Sequence, residues 1–198
     1  MAGGAEMAGH PDQAVHYFGE GILVLKTCQK LDPDNTSLGD WVKNLEGFKA
    51  RDEQAGASFG VQNLLAQANA LMQAKQTNQA LALFDQALAN PDISAQQVQM
   101  IAYTTAQLRD FTRLGTALKK LVILEPDQPE SRCDLAALEA LTGHPTESLA
   151  DLKLALDLNA KRRAQDPSAH DLLPTIRADA RFASLHNSPE FQKLMNSK

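Results

Sequence analysis

The chain has 198 residues, enough for one ordinary domain or a short repeat array. Apolar residues make up 43% of it and aromatics only 5%, so a continuous core can be buried but a platform of stacking aromatics is excluded. The net charge of −5 falls mostly before residue 61, and residues 61–165 carry eleven acids against ten bases; the basic face that a nucleic-acid binder needs is therefore missing.

In chain order, Gly9-His10-Pro11-Asp12 reads as a turn, with Asp12 able to cap the helix that follows. Ala14, Phe18 and Gly21 give that helix a small-large-small face, and it runs through Leu25 and Cys28 to Leu31 before Asp32-Pro33-Asp34 stops it. Only eight residues precede Gly9, too few for a stable helix alone. The chain is thus expected to begin inside a repeat. Either it is cut from a longer protein or another chain supplies the missing helix, which would make the N-terminal partial repeat a route to self-association.

Residues 36–53 predict a further helix, with Leu38, Trp41, Leu45 and Phe48 at spacings of three and four and Thr36 or Ser37 as cap. Trp41, the single tryptophan, is expected in the core, a partner surface being the alternative. Residues 54–60, QAGASFG, read as a loop of small residues. They divide an N-terminal helical segment, 1–53, from a regular array, 61–165.

That array has a 34-residue rhythm. Ala68, Ala102 and Ala136 are spaced by 34, as are Phe84, Leu118 and Leu152, and Ala87, Leu121 and Ala155. The clearest copy is residues 61–94. Leu64, Ala68 and Leu71 mark one face of a first helix, Lys75 to Asn78 a polar turn, and Ala80, Phe84 and Ala87 the buried face of a second helix that Asn90-Pro91-Asp92 ends. Residues 95–128 repeat the order with a turn at Asp110-Phe111 and a stop at Pro126. Residues 129–162 repeat it again with a turn at Gly143.

On these residues the chain resembles the tetratricopeptide repeat family, which alternates small and large residues in this order over 34 positions. Leu114 and Leu121 stand where the family prefers alanine. Ala160 replaces the closing proline, so the third second-helix is expected to run on toward Arg163. The resemblance implies an all-α fold of antiparallel helical hairpins stacked as a right-handed α-solenoid. The tail, 166–198, is similar to the ending of bacterial arrays of this family. Asp179-Ala180-Arg181-Phe182 and Leu185 are followed by Ser188-Pro189-Glu190-Phe191 and Leu194. Asp179 and Ser188 sit at N-cap positions, Pro189 at the first helical place, and Phe182, Leu185, Phe191 and Leu194 are expected to cover the last hairpin.

No reaction chemistry emerges. His10, His16, His144, His170 and His186 form no ligand pair at short helical spacing, and HExxH, CxxC and glycine-rich phosphate loops are absent. Cys28 and Cys133 are read as buried free thiols, Asn35-Thr36-Ser37 as a turn and cap, and Lys161-Arg162-Arg163 as a favourable end to a helix. Met1-Ala2-Gly3-Gly4 lacks the basic start and apolar run of a signal peptide, and Gly21 to Leu25 is too short to cross a bilayer. A cytoplasmic setting is expected, or a soluble domain of a larger protein. No cofactor or metal is called for.

The resemblance implies that first helices line a concave face that holds peptides. By register the positions are Gln62, Leu65, Asn69, Met72 and Gln73; Gln96, Gln99, Tyr103, Ala106 and Gln107; and Glu130, Cys133, Ala137 and Ala140. The family's clamp for a C-terminal carboxylate is not expected, since only Asn69 matches it and no lysine does. A noncatalytic scaffold for a protein or peptide partner follows, without nucleic acid or membrane insertion. The alternative is a C-terminal regulatory or docking domain of a larger enzyme or membrane protein.

Overall fold

Alternation of small and large apolar residues at helical spacing produces helices throughout. The computed structural model describes residues 11–196; among these are nine α-helices, one 3-10 helix and no strand. None of these helices is long and apolar enough to cross a membrane. Gly9 and His10, where a turn was expected, lie outside the described residues. The chain divides into two units, Met1–Asp92 and Ile93–Lys198.

In the first unit, α1 (Pro11–Leu31) packs on the N-terminal half of α2 (Thr36–Gln73), and α3 (Thr77–Ala89) packs on α2 as well. Ala14 and Phe18 of α1 are buried, with Tyr17 and Leu45 around them. The Phe18 and Phe48 rings lie 5.9 Å apart. Val61, Leu65 and Ala68 of α2 and Ala80, Phe84 and Ala87 of α3 are buried as well.

Several expectations are corrected here. Pro11, whose missing N–H costs nothing in a first turn, already belongs to α1, so Asp12 lies within the helix and not ahead of it. Residues 54–60 are not a loop; they lie inside the 38-residue helix α2. Alanine is the strongest helix former, the segment has no proline, and two isolated glycines weaken a helix without ending it. Neither Thr36 nor Ser37 caps α2: the N-cap is Asn35, whose side chain accepts no capping bond from the helix and instead donates to the Asp32 carboxylate at 3.4 Å. Trp41 is 61% exposed, while the adjacent Val42 is 7% exposed. Consecutive helical residues point about 100° apart, and α1 covers the side that carries Val42 and Leu45. Cys28 is exposed, unlike Cys133.

The second unit contains α4 (Ala95–Gln107), α5 (Phe111–Leu124), α6 (Pro129–Leu141) and α7 (Pro145–Gln165). They are followed by α8 (Leu172–Ala178), the 3-10 helix η1 (Ala180–Leu185) and α9 (Pro189–Asn196). Helices α4 and α5 pair, α5 packs on α6, and α6 pairs with α7. Starts are set locally. Ser94 and Gln97 form a reciprocal capping box on α4, Asp110 accepts from the Arg113 N–H on α5, and prolines open α6 and α7. As expected, α7 runs past Ala160, to Gln165.

The 34-residue rhythm is present in the backbone. Lys75, Arg109 and Gly143 have φ of 60°, 56° and 82°. The next N–H in each case reaches back five residues: Gln76 to the Leu71 carbonyl at 2.8 Å, Asp110 to Thr105 at 2.9 Å, His144 to Glu139 at 2.8 Å. This is the Schellman closure of a helix end, made three times at positions 34 apart. The turns occupy 74–76, 108–110 and 142–144, slightly ahead of the expected places. Side chains follow the same register, with Ala68, Ala102 and Ala136, and Phe84, Leu118 and Leu152, all buried. Ser148 takes the place that Ala80 has in the first copy, and its hydroxyl donates to the Ala136 carbonyl at 2.6 Å, so its burial leaves nothing unpaired.

The tail adds one helix that periodicity did not predict, α8, whose cap Asp171 accepts from the Leu173 N–H. Phe182, Leu185, Phe191 and Met195 are buried in one cluster with Cys133, Ala136, Ala137, Ala140, Leu152 and Ala155, and Leu194 packs at its edge. The tail thus covers the α6–α7 hairpin. Asp179 accepts from the Arg181 N–H at 2.9 Å and Ser188 from the Phe191 N–H at 3.3 Å, the expected caps.

Candidate functional site

Helical spacing places three sets of residues around one hollow in the second unit. Gln99, Tyr103 and Ala106 share a face of α4; Glu130, Asp134, Leu138 and Leu141 share a face of α6; Phe111, Leu114, Leu118 and Leu121 share a face of α5. Together with Ala102, Ser131 and Arg181 they line a cavity of about 510 Å³, within the range of pockets that hold ligands. Its floor is buried leucine: Leu118, Leu121 and Leu138 are all under 7% exposed. Its rim is exposed, with Tyr103, Leu141 and Phe111 open to solvent.

One end of the hollow is charged. Arg162 makes two bonds to the Glu130 carboxylate, at 2.8 and 3.1 Å, and a third to the His170 carbonyl. Arg181 reaches Asp134 at 2.9 Å and Asp179 at 2.7 Å. Gln99 donates to Glu125 at 3.3 Å. Partial burial opposes ionisation of Glu130, but the Arg162 bonds, a backbone N–H and the Arg162 charge outweigh it and hold the carboxyl below its ordinary range. Asp179 is lowered likewise, with Arg181 outweighing burial. Arg181, despite burial, is held protonated far above neutrality by Asp179 and Asp134. Glu130, Asp179 and Arg181 are therefore held in their charged forms at neutral pH.

Of the residues placed by register, the structure gathers Gln99, Tyr103, Ala106 and Glu130 around this hollow. Gln96 and Gln107 are exposed on the same helix, α4, outside the lining. In the first unit Gln62, Asn69 and Gln73 are exposed and Met72 is half-buried, but Leu65 is 5% exposed and serves the core. In the third copy Cys133, Ala137 and Ala140 are buried against the tail. These four are corrected from groove positions to core. The register treats every first helix as open, whereas here the chain's own Phe182 and Leu185 fill the last one. Burial pushes the Cys133 thiol up to about 12, Asp134 adding to the effect.

Leu141, Asp134, Arg181 and Phe111 are among the lining residues that sequence reasoning missed. Leu141 lies 34 residues after Gln107, as Gln107 does after Gln73, and could have been found by completing the register. Asp134 and Arg181 form a pair 47 residues apart that no local spacing reveals. Phe111 was read only as turn.

A second hollow of about 580 Å³ lies among Thr112, Thr116, Lys119, Glu139, His144 and Glu147. Glu139 there has its carboxyl raised by burial and by Asp151. Among the described residues no group of three or more His, Cys, Asp or Glu is arranged to hold a metal ion. No protein-family model matches the chain, and no curated protein does.

Proposed function

We propose that this chain is a noncatalytic interaction module of the tetratricopeptide type, holding a protein or peptide segment in the hollow between α4 and α6. In this reading the hairpins α4–α5 and α6–α7 are consecutive repeats stacked with a right-handed turn, and the tail is their C-terminal cap. The observation that carries it is the 510 Å³ cavity, which falls where four register positions, Gln99, Tyr103, Ala106 and Glu130, converge on an apolar floor. Buried leucines beneath an exposed tyrosine and exposed polar rim groups are the makings of a peptide anchor site. The near-neutral array argues for polypeptide over nucleic acid, and the cytoplasm is the proposed setting.

Site-directed photo-crosslinking tests the reading. A photoreactive residue at position 103 or 141 should capture a discrete partner in cells that express the protein. One at position 157, on the exposed side of α7, should not. Equal capture from all three positions, or none from the first two, would overturn it.

A further inference from the structure

We propose that the ligand of the α4–α6 groove is a peptide that combines a lysine or arginine with a bulky apolar side chain such as leucine or phenylalanine. This rests on the reading of the groove as a peptide site and specifies its occupant. The first ground is charge. Around the hollow and bonded to its lining stand four carboxylates, Glu125, Glu130, Asp134 and Asp179, against two guanidinium groups, Arg162 and Arg181, a formal −2. Both guanidinium groups are spent on those carboxylates. Glu130 and Asp134 keep side-chain exposures of 45% and 49%, so each retains lone pairs that face water and can accept from an incoming cation. A carboxylate ligand would meet repulsion with no uncommitted lining cation to offset it.

The second ground is that the molecule already makes such a contact with itself. The tail lays Arg181 on Asp134 while the next residue, Phe182, is 0% exposed and Leu185 is 3% exposed. Both apolar side chains lie in the cluster with Cys133, Ala137 and Ala140. A basic residue on an α6 carboxylate, with its apolar neighbours sunk beside it, is thus a mode this helix accepts. The equivalent places one repeat earlier, Gln99, Tyr103 and Ala106, are exposed over a floor of leucines, so the apolar requirement recurs there with no occupant among the described residues.

The test is selection of a short random peptide library on the whole chain, with Tyr103→Ala as counter-target. Tyr103 is 68% exposed, so its loss should leave folding intact, which circular dichroism verifies. Enriched peptides should combine Lys or Arg with Leu, Phe, Met or Ile and bind Tyr103→Ala more weakly. Their affinity should fall with added salt, and by up to about fivefold on Glu130→Gln, as for a half-exposed ion pair. Tyr103-dependent peptides that are acidic or uncharged, or binding indifferent to salt and to Glu130→Gln, would overturn the charge requirement and leave the groove standing as a peptide site. Absence of any Tyr103-dependent peptide would overturn both.

Discussion

Three residues carry the periodicity most directly, and only one is a glycine. Lys75 and Arg109 adopt the left-handed backbone that Gly143 adopts freely. That conformation costs a side-chain-bearing residue about 1 kcal/mol or more. Gly143→Ala meets no atom within 4 Å, so its penalty is purely conformational; a loss of about 1 kcal/mol is expected in denaturant melts. Arg109→Gly should do the reverse and gain up to about 1 kcal/mol, the relief being partly cancelled by a freer unfolded chain. A destabilised Arg109→Gly would mean the side chain compensates its own strain. The two thiols make a second residue-scale prediction. Cys28 is exposed, whereas burial raises the Cys133 thiol to about 12. A thiol reagent at pH 8 should therefore modify one cysteine promptly in the native protein and the other only on unfolding. The sign for stability follows. The unfolded thiol ionises above its ordinary value of 9 while the folded one stays protonated, so this group's contribution is complete below pH 9 and declines as pH rises toward 12.

At the scale of elements, the repeats were legible because each side-chain choice agreed with the next. Ala68, Phe84 and Gly143 repeat their roles at a fixed interval, and local capping by Ser94, Asp110 and Asp179 is written within three residues of each helix start. The N-terminal third was less legible. A stretch of small residues reads as a hinge when judged alone, but flanking amphipathic helices carry it into a single helix, since continuing a helix is far easier than starting one. Trp41 and Val42 show the same limit. Both are apolar, and only the position of α1 decides which is covered. The groove was half legible for a related reason: α4 supplies its residues by register, while Arg181 arrives from a distant tail. Gly60 offers a test of α2. A Cβ there would meet nothing within 4 Å, so Gly60→Ala should stabilise the chain by roughly 0.5–1 kcal/mol if residues 54–60 are helical. A loop at that place would leave the melting temperature unmoved or lower it. Chemical denaturation with unchanged slope is the measurement.

At the largest scale the question is what closes the α6–α7 hairpin at the C-terminal end. In the proposed array, stacked hairpins would share their stability with neighbours, and the α6–α7 hairpin has an apolar face that needs a cover. Here Cys133, Ala136, Ala137, Ala140, Leu152 and Ala155 form that face, and Leu172, Ile176, Phe182, Leu185, Phe191 and Met195 close it. The closure is reinforced by polar contacts. Arg181 ties η1 to α6 through Asp134, the Ser184 hydroxyl donates to the Ala140 carbonyl at 3.3 Å, and Asn159 of α7 bonds the backbone at both His170 and Leu172. Deleting residues 178–198 removes Phe182, Leu185, Phe191 and Met195 together and leaves small side chains facing water. Each kcal/mol lost lowers the melting temperature by roughly 4–8 °C in a cooperative unit of about 100 residues. Four buried side chains should therefore lower it by more than about 10 °C. The uncovered face should also drive association, because contiguous exposed apolar surface seeks a partner. Sedimentation and thermal melts of the full and shortened chains measure both effects. An unchanged melting temperature with an unchanged monomer fraction would show that α6 and α7 stand without their cover. The face around Cys133, Ala137 and Ala140 would then be a second groove, occupied by the tail as a displaceable ligand.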